Sequence, residues 1–355
     1  MTRRQEIVRE LTAHTTGSPK TEAQAFAPAN VALCKYWGKR DADLNLPVSS
    51  SLSISLGSLG TTTELRLRQG ADHIVSDCLE LSPDDKFCTR LSAFLDLFRP
   101  DADTGFIVET QNTVPTAAGL ASSASGYAAL VLALDDLFQW QLNREQLSIL
   151  ARLGSGSAAR SVYNGFVVWH CGTSDGGMDS VAERITGEWP ELRVGVVIVS
   201  DSEKPISSRE AMARTVASSP FFDRWEAVAD ADMQQLREAI GNHAFELLGT
   251  TAESNAMAMH ALMLASWPPV LYWTGATIDV LQRVWALRED GVPVYCTIDA
   301  GPNVKLLFLD EAEARVREAF EEATIIQPFG ELDERGDWWC YFNRAGLSRT
   351  SVDRS

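Results

Sequence analysis

Between Asn112 and Leu134 the chain reads "NTVPTAAGLASSASGYAALVLAL", and from Thr116 to Gly126 almost every residue is glycine, alanine or serine. So many small side chains directly before an apolar helix restrict what the chain can build there, because the backbone must pass close to something. The helix is read from Leu130, Leu134, Leu137 and Phe138, which recur at i, i+4, i+7 and i+8. Ser122 or Ser123 offers a cap. Backbone N–H groups in such a turn approach an anion closely, and the first helical turn adds unpaired donors and a partial positive charge. Serine hydroxyls add donors and oxygen ligands for a divalent cation. A tightly packed helix start, in which two backbones touch, fits the same run. Both readings stand at this level.

Charge narrows the choice of ligand. Lys and Arg total 31 against 48 Asp and Glu, a net charge of −17. A surface this acidic repels nucleic acid and anionic membranes, so neither is an expected partner. An anionic small molecule binds only where basic residues are gathered locally. The cysteines Cys34, Cys78, Cys88, Cys171, Cys296 and Cys340 form no Cys-x-x-Cys pair, and the histidines form no metal-ligand spacing. The start, "MTRRQEIVRELTAHTTGSPK", has no apolar segment of a secretory signal, and no apolar run approaches the ~18 residues of a membrane span. A cytoplasmic protein with reduced thiols is expected.

The length of 355 residues favours two domains. Strand patterns fall at "SLSISL" (51–56), "TTTELRLR" (61–68), "GFIVET" (105–110), "GFVVWHC" (165–171) and "RVGVVIVS" (193–200). Helical patterns follow at 230–248, 251–265 and 277–290, then a hairpin at 292–310 and a helix at 311–323. Asp310 and Glu313 have capping-box spacing. "SSPFFDRW" interrupts regular structure, so the expected division is residues 1–200, residues 201–340 and a polar tail at 341–355. Met257, Met259, Met263 and His260 read as core of the helix at 251–265.

Four more segments carry chemistry. "KYWGKR" (35–40) sets Lys35 and Lys39 around Tyr36 and Gly38, on a helix face or in a loop, as an anion anchor or a solvated turn. "GSGSAARS" (154–161) offers Ser155, Ser157 and the planar fork of Arg160 to phosphate or carboxylate. "DSEKPISSREAM" (201–212) places Lys204, Ser207, Ser208 and Arg209 after a buried strand, either to meet a ligand or to cap a helix. In "TIDAGPN" (297–303), Asp299 closes an apolar strand before a turn, where it serves turn geometry or accepts a proton from a hydroxyl. Neither G-x-x-x-x-G-K-[ST] nor G-x-G-x-x-G occurs in these segments, so a nucleotide site here has another design.

Taken in order, "APANVALCKYWGKRDADLNLPVSSSLSISL", "TAAGLASSASGYAAL", "GSGSAARS", "ISSREAM", "ESNAMAMHALML" and "TIDAGPN" resemble the diphosphomevalonate decarboxylases of the GHMP kinase superfamily, over roughly residues 25–310. The resemblance implies an α+β GHMP kinase fold. Its N-terminal domain would be like domain 2 of ribosomal protein S5, its C-terminal domain ferredoxin-like, and its active site in the cleft between them. It implies ATP- and Mg2+-dependent conversion of mevalonate 5-diphosphate to isopentenyl diphosphate, commonly by a homodimer.

By the same resemblance, Gly119, Leu120, Ala121, Ser122 and Ser123 form the phosphate loop, and Ser122 and Ser123 are candidates for magnesium. Asn112 lies near the adenine pocket. Asp299 is the catalytic aspartate near the C3 hydroxyl, with Lys35 beside it in the catalytic set, and Arg160 holds the substrate carboxylate. Ser155 and Ser157 support that loop, while Tyr36, Lys39, Ser208 and Arg209 match positions that bind the diphosphate. Ala211 departs from the pattern, which more often has glycine before methionine. Phosphomevalonate decarboxylase and mevalonate 3-kinase are alternatives on the same scaffold, and a non-catalytic sensor of ATP or an isoprenoid precursor is the alternative of another class.

Overall fold

The computed structural model describes residues 1–14, 17–77, 79–113, 122–200 and 204–329, with the backbone alone at 79, 80 and 122. In chain order the elements are α1 (Arg3–Thr12), β1 (Glu22–Cys34), β2 (Lys39–Asp41), β3 (Leu46–Pro47), β4 (Ser51–Gln69), β5 (His73–Ser76), β6 (Leu79–Glu80), α2 (Lys86–Leu95), β7 (Thr104–Asn112), α3 (Ser122–Phe138) and α4 (Arg144–Gly154). The second half adds β8 (Phe166–Trp169), β9 (Ala182–Arg184), β10 (Leu192–Val197), α5 (Ser208–Ser218), α6 (Trp225–Asn242), α7 (Phe245–Leu264), α8 (Gly275–Glu289), β11 (Val294–Ile298), β12 (Val304–Leu309), α9 (Glu313–Ala319) and β13 (Thr324–Ile326).

Strand β4 organises the first sheet. It is 19 residues long and pairs with β1, β7 and β8, giving the order β6-β5-β7-β4-β8-β9 with β1 also on β4. The segments expected as two strands, 51–56 and 61–68, are this one continuous strand. The strand itself absorbs the irregularity: where the β1–β4 register shifts, one residue lies between Pro28 and Asn30 on β1, while residues 56–59 lie between their partners Gly60 and Ser55 on β4. At that shift the chains come so close that a Cβ on Gly60 would stand 2.1 Å from the Ala27 carbonyl oxygen, so only glycine fits. Buried residues of α2, α3 and α4 cover one face, including Leu95, Val131, Leu134 and Leu150.

The second sheet is antiparallel in the order β11-β12-β10-β13. It therefore takes in Leu192–Val197, which precedes residue 201. Its core includes α6, α7 and α8, and is continuous with Val31 and Leu33 of β1 and Leu52 and Ile54 of β4. One apolar core thus joins the two sheets, and the architecture is α+β as expected.

Two local expectations are corrected. The pattern at 230–248 is broken, because His243 takes a left-handed conformation with φ 51° and separates α6 from α7. Asp310 does not cap the next helix: it opens a 3-10 turn, Asp310–Ala312, and α9 starts at Glu313 with no side-chain cap. Glu313 instead meets Arg193 and Arg317. Met259, Met263 and His260 are buried in α7 as expected, and Met257 is partly buried against the same core.

Candidate active site

The two sheets bring the end of β1 to the end of β11. Lys35 follows β1 and Asp299 follows β11, and Lys35 Nζ lies 2.9 Å from Asp299 Oδ1. The same ammonium donates to the Ala32 carbonyl at 2.8 Å, and the Lys35 backbone N–H donates to Asn255 Oδ1 at 2.8 Å. Asn255 belongs to α7 and donates in turn to Asp232 Oδ2 at 2.8 Å, so a polar chain from the second half fixes this end of β1. Lys35, expected on a helix or in a loop, is thereby held in the loop that follows β1.

Electrostatics set the protonation states. Burial alone would raise the Asp299 pKa, but the ammonium groups of Lys35 and Lys305 outweigh it and hold the carboxyl well below the usual carboxylate range. Burial lowers the Lys35 pKa, against the pull of Asp299. The buried His260 ring, with Nε2 3.2 Å from the Asp299 carbonyl oxygen, is pushed down to about 3 by burial and then by the Lys35 charge. His260 is therefore a neutral packing residue.

A cavity of about 370 Å³ opens beside this pair and is lined by Lys35, Tyr36, Lys39, Ser123, Ser155, Ser157, Arg160, Ser208, Arg209 and Asp299. Segments far apart in sequence thus share one wall. Arg160 is buried in the 3-10 turn Gly156–Val162, with Nη1 2.5 Å from Ser51 Oγ and Nη2 3.3 Å from Asn30 Oδ1. Burial pulls its pKa down to about 10, so it stays a cation at neutral pH. Lys39 Nζ donates to Asn45 Oδ1 at 2.6 Å, and burial together with the charges of Arg209 and Arg4 lowers its pKa to about 8.

Tyr36 adds to the wall of the cavity a polar group without a protein partner among the described residues. Its ring packs edge-on against Trp169 at 4.8 Å, yet its hydroxyl is buried without a hydrogen-bond partner among the described residues. A buried polar atom of this kind costs stability unless a ligand satisfies it. The close approach of the neighbouring turn needs glycine, because a Cβ on Gly156 would stand 2.7 Å from the Tyr36 ring.

The segment expected to meet a nucleotide lies only partly within the described residues. Gly119, Leu120 and Ala121 lie outside the described residues, and so does the side chain of Ser122, which opens α3. Ser123 lies within the first turn of α3, its Oγ 3.5 Å from Ser155 Oγ, which is 3.3 Å from Ser157 Oγ. A second cavity of about 210 Å³ is lined by Thr61, Phe87, Val108, Asn112, Ser123 and Tyr127 among others. Ser123, Tyr127 and Arg90 line both cavities, so the two are adjacent. Asn112 Oδ1 also accepts a hydrogen bond from the Thr61 hydroxyl, at 2.7 Å.

Several residues of the site escaped the sequence reading. Lys305 in β12 is buried with Nζ 3.4 Å from Asp299 Oδ2, whereas Lys204, already singled out in its motif, donates from Nζ to the Ala300 carbonyl at 2.6 Å. Arg90, Asn30 and Asn45 complete the walls. Only Lys305 left a clear trace, as a lysine inside the apolar run "NVKLLFL". Ala211 is fully buried in α5, and Ser207, one residue before that helix, caps it by accepting from the Glu210 N–H. Among the described residues no cluster of three His, Cys, Asp or Glu side chains could hold a metal, and no helix is long and apolar enough to cross a membrane.

Comparison with known proteins gives the same answer along the chain. Residues 27–182 match the diphosphomevalonate decarboxylase-like N-terminal domain, and residues 194–334 match the mevalonate 5-diphosphate decarboxylase C-terminal domain. The diphosphomevalonate decarboxylase mvd1 of Aspergillus fumigatus is 37% identical over 311 residues, covering 81% of this chain and 77% of the relative. The crystal structure of mevalonate diphosphate decarboxylase from Staphylococcus aureus superposes with a TM-score of 0.81 at 35% identity, covering 86% of this chain and 95% of that one. A structure of MDDEF in complex with MVAPP, AMPPCP and magnesium gives a TM-score of 0.80 at 37% identity, covering 86% and 96%. The fold is therefore the GHMP kinase fold of these structures, and the chain belongs to the diphosphomevalonate decarboxylase family.

Proposed function

We propose that this protein catalyses the ATP-dependent decarboxylation of mevalonate 5-diphosphate to isopentenyl diphosphate in the mevalonate route to isoprenoids, with ADP, phosphate and carbon dioxide as the other products. The observation that carries this reading is the single cavity lined by Asp299, Arg160, Lys39 and Arg209 beside a second one that holds Asn112. A carboxylate, a fork for an acid group and cations for a diphosphate are what this substrate requires. Family membership points the same way.

Asp299 accepts a hydrogen bond from the C3 hydroxyl and turns its oxygen toward the phosphoryl donor. A carboxylate held so far below its ordinary pKa is a weak base, so it orients the hydroxyl and takes the proton only late in the transfer. Lys39, Arg209, Ser208 and the Tyr36 hydroxyl hold the diphosphate, with Ser155 and Ser157 beside it. Arg160 grips the carboxylate that leaves as carbon dioxide. Because that charge disappears in the reaction, a tight grip alone would stabilise the ground state, and Arg160 contributes by alignment of the C–C bond that breaks.

ATP, when bound, supplies the phosphoryl group that makes the tertiary hydroxyl a good leaving group. The adjacent cavities and the start of α3 fit a nucleotide, with Asn112 toward the base and Ser123 toward the phosphates. The hydroxyl-rich wall fits Mg2+ held by nucleotide oxygens and serine, Ser123 being the described candidate and Ser122 the other. The protein would act as a cytoplasmic homodimer. Its two domains would divide between β9 and β10, where the matched family regions also part.

Assaying mevalonate, its 5-phosphate and its 5-diphosphate in parallel with ATP and Mg2+ tests the reading. Carbon dioxide from the diphosphate alone is expected. Preference for the monophosphate, or phosphorylation of mevalonate without gas release, would transfer the protein to a sister activity.

A further inference from the structure

The walls around Asp299 contain a charge that the proposed reaction leaves unused. Lys305 belongs to β12, paired with Thr297 of β11, and its ammonium is buried. It reaches Asp299 Oδ2 at 3.4 Å and its own neighbour, the Asn303 carbonyl, at 3.3 Å. Lys35 holds the other carboxylate oxygen at 2.9 Å. The cavity lining includes Asp299 and Lys35 but does not include Lys305, which approaches the carboxylate from behind.

We propose that Lys305 is a positioning residue for Asp299: from the protein side it fixes Oδ2 while Lys35 fixes Oδ1, so that one orientation of the carboxylate faces the cavity. This rests on the reading of Asp299 given above. A carboxylate with one cationic partner can rotate about χ2 and exchange its oxygens. Two ammonium groups on different strands, β12 and the end of β1, remove that freedom before substrate arrives. Keeping a lysine without access to solvent is costly unless its charge is compensated, and Asp299 is the carboxylate within reach of Lys305 among the described residues. The pair therefore serves each partner: the acid is held ionised and aimed, and the buried base is neutralised.

The charged and titratable groups acting on Asp299 are Lys35 at the end of β1, Lys305 in β12, Lys204 before α5, Arg160 in the turn after α4, and His260 in α7. All but the neutral His260 favour the carboxylate. Loss of Lys305 alone should then raise the Asp299 pKa without protonating it at neutral pH.

The test is Lys305→Met, which keeps the length of the side chain and removes the charge, together with Lys305→Arg, which restores charge. In Lys305→Met, kcat should fall on the order of 30-fold while KM for both substrates changes by less than about threefold, as expected of lost orientation. The carboxyl carbon of Asp299, followed by 13C NMR in selectively labelled protein and assigned with Asp299→Asn, should titrate at higher pH by about one pH unit or more. Lys305→Arg should keep the wild-type titration and recover part of kcat. An unmoved titration in folded Lys305→Met, or a rise in KM with kcat unchanged, would overturn the proposal. If Lys305→Met does not fold, Lys305→Gln takes its place with the same expected outcomes. The NMR titration needs no turnover, so it judges Lys305 even where wild-type protein fails to release carbon dioxide and the substrate reading falls.

Discussion

Lys35 Nζ stands 2.9 Å from Asp299 Oδ1, an ion pair that ties the end of β1 to the end of β11 across 264 positions of sequence. The carboxylate is held ionised by this lysine together with Lys305, and it compensates the charge of the buried Lys35.

Replacing Asp299 with Asn should leave a folded protein that still binds nucleotide and substrate. Carbon dioxide release should fall by about 1000-fold or more, since the hydroxyl loses its acceptor charge. The melting temperature should drop as well, because Lys35 and Lys305 lose their counterion. Isothermal titration separates binding from turnover; near-normal gas release would remove Asp299 from the chemistry.

Arg160→Lys should lower kcat by about 100-fold with the KM for ATP within about threefold. A point charge cannot reproduce the two-pronged grip that Ser51 and Asn30 hold in place. Steady-state kinetics with each substrate varied is the check, and equal losses in ATP binding and turnover would contradict the alignment role.

With Lys39 holding the diphosphate as proposed, substrate binding should have an upper pH limit. Its pKa is lowered from 10.5 to about 8, so the free protein loses this ammonium as pH rises through about 8, and KM for the diphosphate should climb above that point. Lys39→Met should raise KM at pH 7 and flatten the climb. Stability responds in the opposite sense. Between about 8 and about 10.4 the unfolded chain keeps a proton that the folded one has released, so this group makes the fold more stable with rising pH. Denaturation at several pH values, in wild type and variant, measures it.

Gly156→Ala should push Tyr36 aside, because the added Cβ would meet the ring at 2.7 Å and the hydroxyl at 2.8 Å. Overpacking of this kind costs about 1–3 kcal/mol. Chemical denaturation should show that loss, and titration with the diphosphate substrate should show weaker binding while nucleotide binding is retained.

Local pattern made much of this legible. The spacing of Leu130, Leu134, Leu137 and Phe138 marks α3, all four residues are buried, and the apolar strand before Asp299 is β11. Tyr36, Lys39, Ser155, Ser157, Ser208 and Arg209 are legible in the sequence because each sits in a motif, and all line one cavity. What stayed hidden depends on pairing between distant strands. Lys305 faces Asp299 only because β11 and β12 pair in one register, and Lys204 reaches Ala300 through a contact spanning 96 positions. The left-handed His243 that divides α6 from α7 has no sequence marker of the kind that glycine would give. Capping-box spacing at Asp310 misled, since Glu313 is engaged by Arg193 and Arg317.

The most direct test of the central claim is product stoichiometry with carboxyl-labelled mevalonate 5-diphosphate, ATP and Mg2+. Equal amounts of ADP, inorganic phosphate and labelled carbon dioxide, formed with isopentenyl diphosphate, are the predicted result. ADP accumulating without labelled gas, or no consumption of ATP at all, would contradict it.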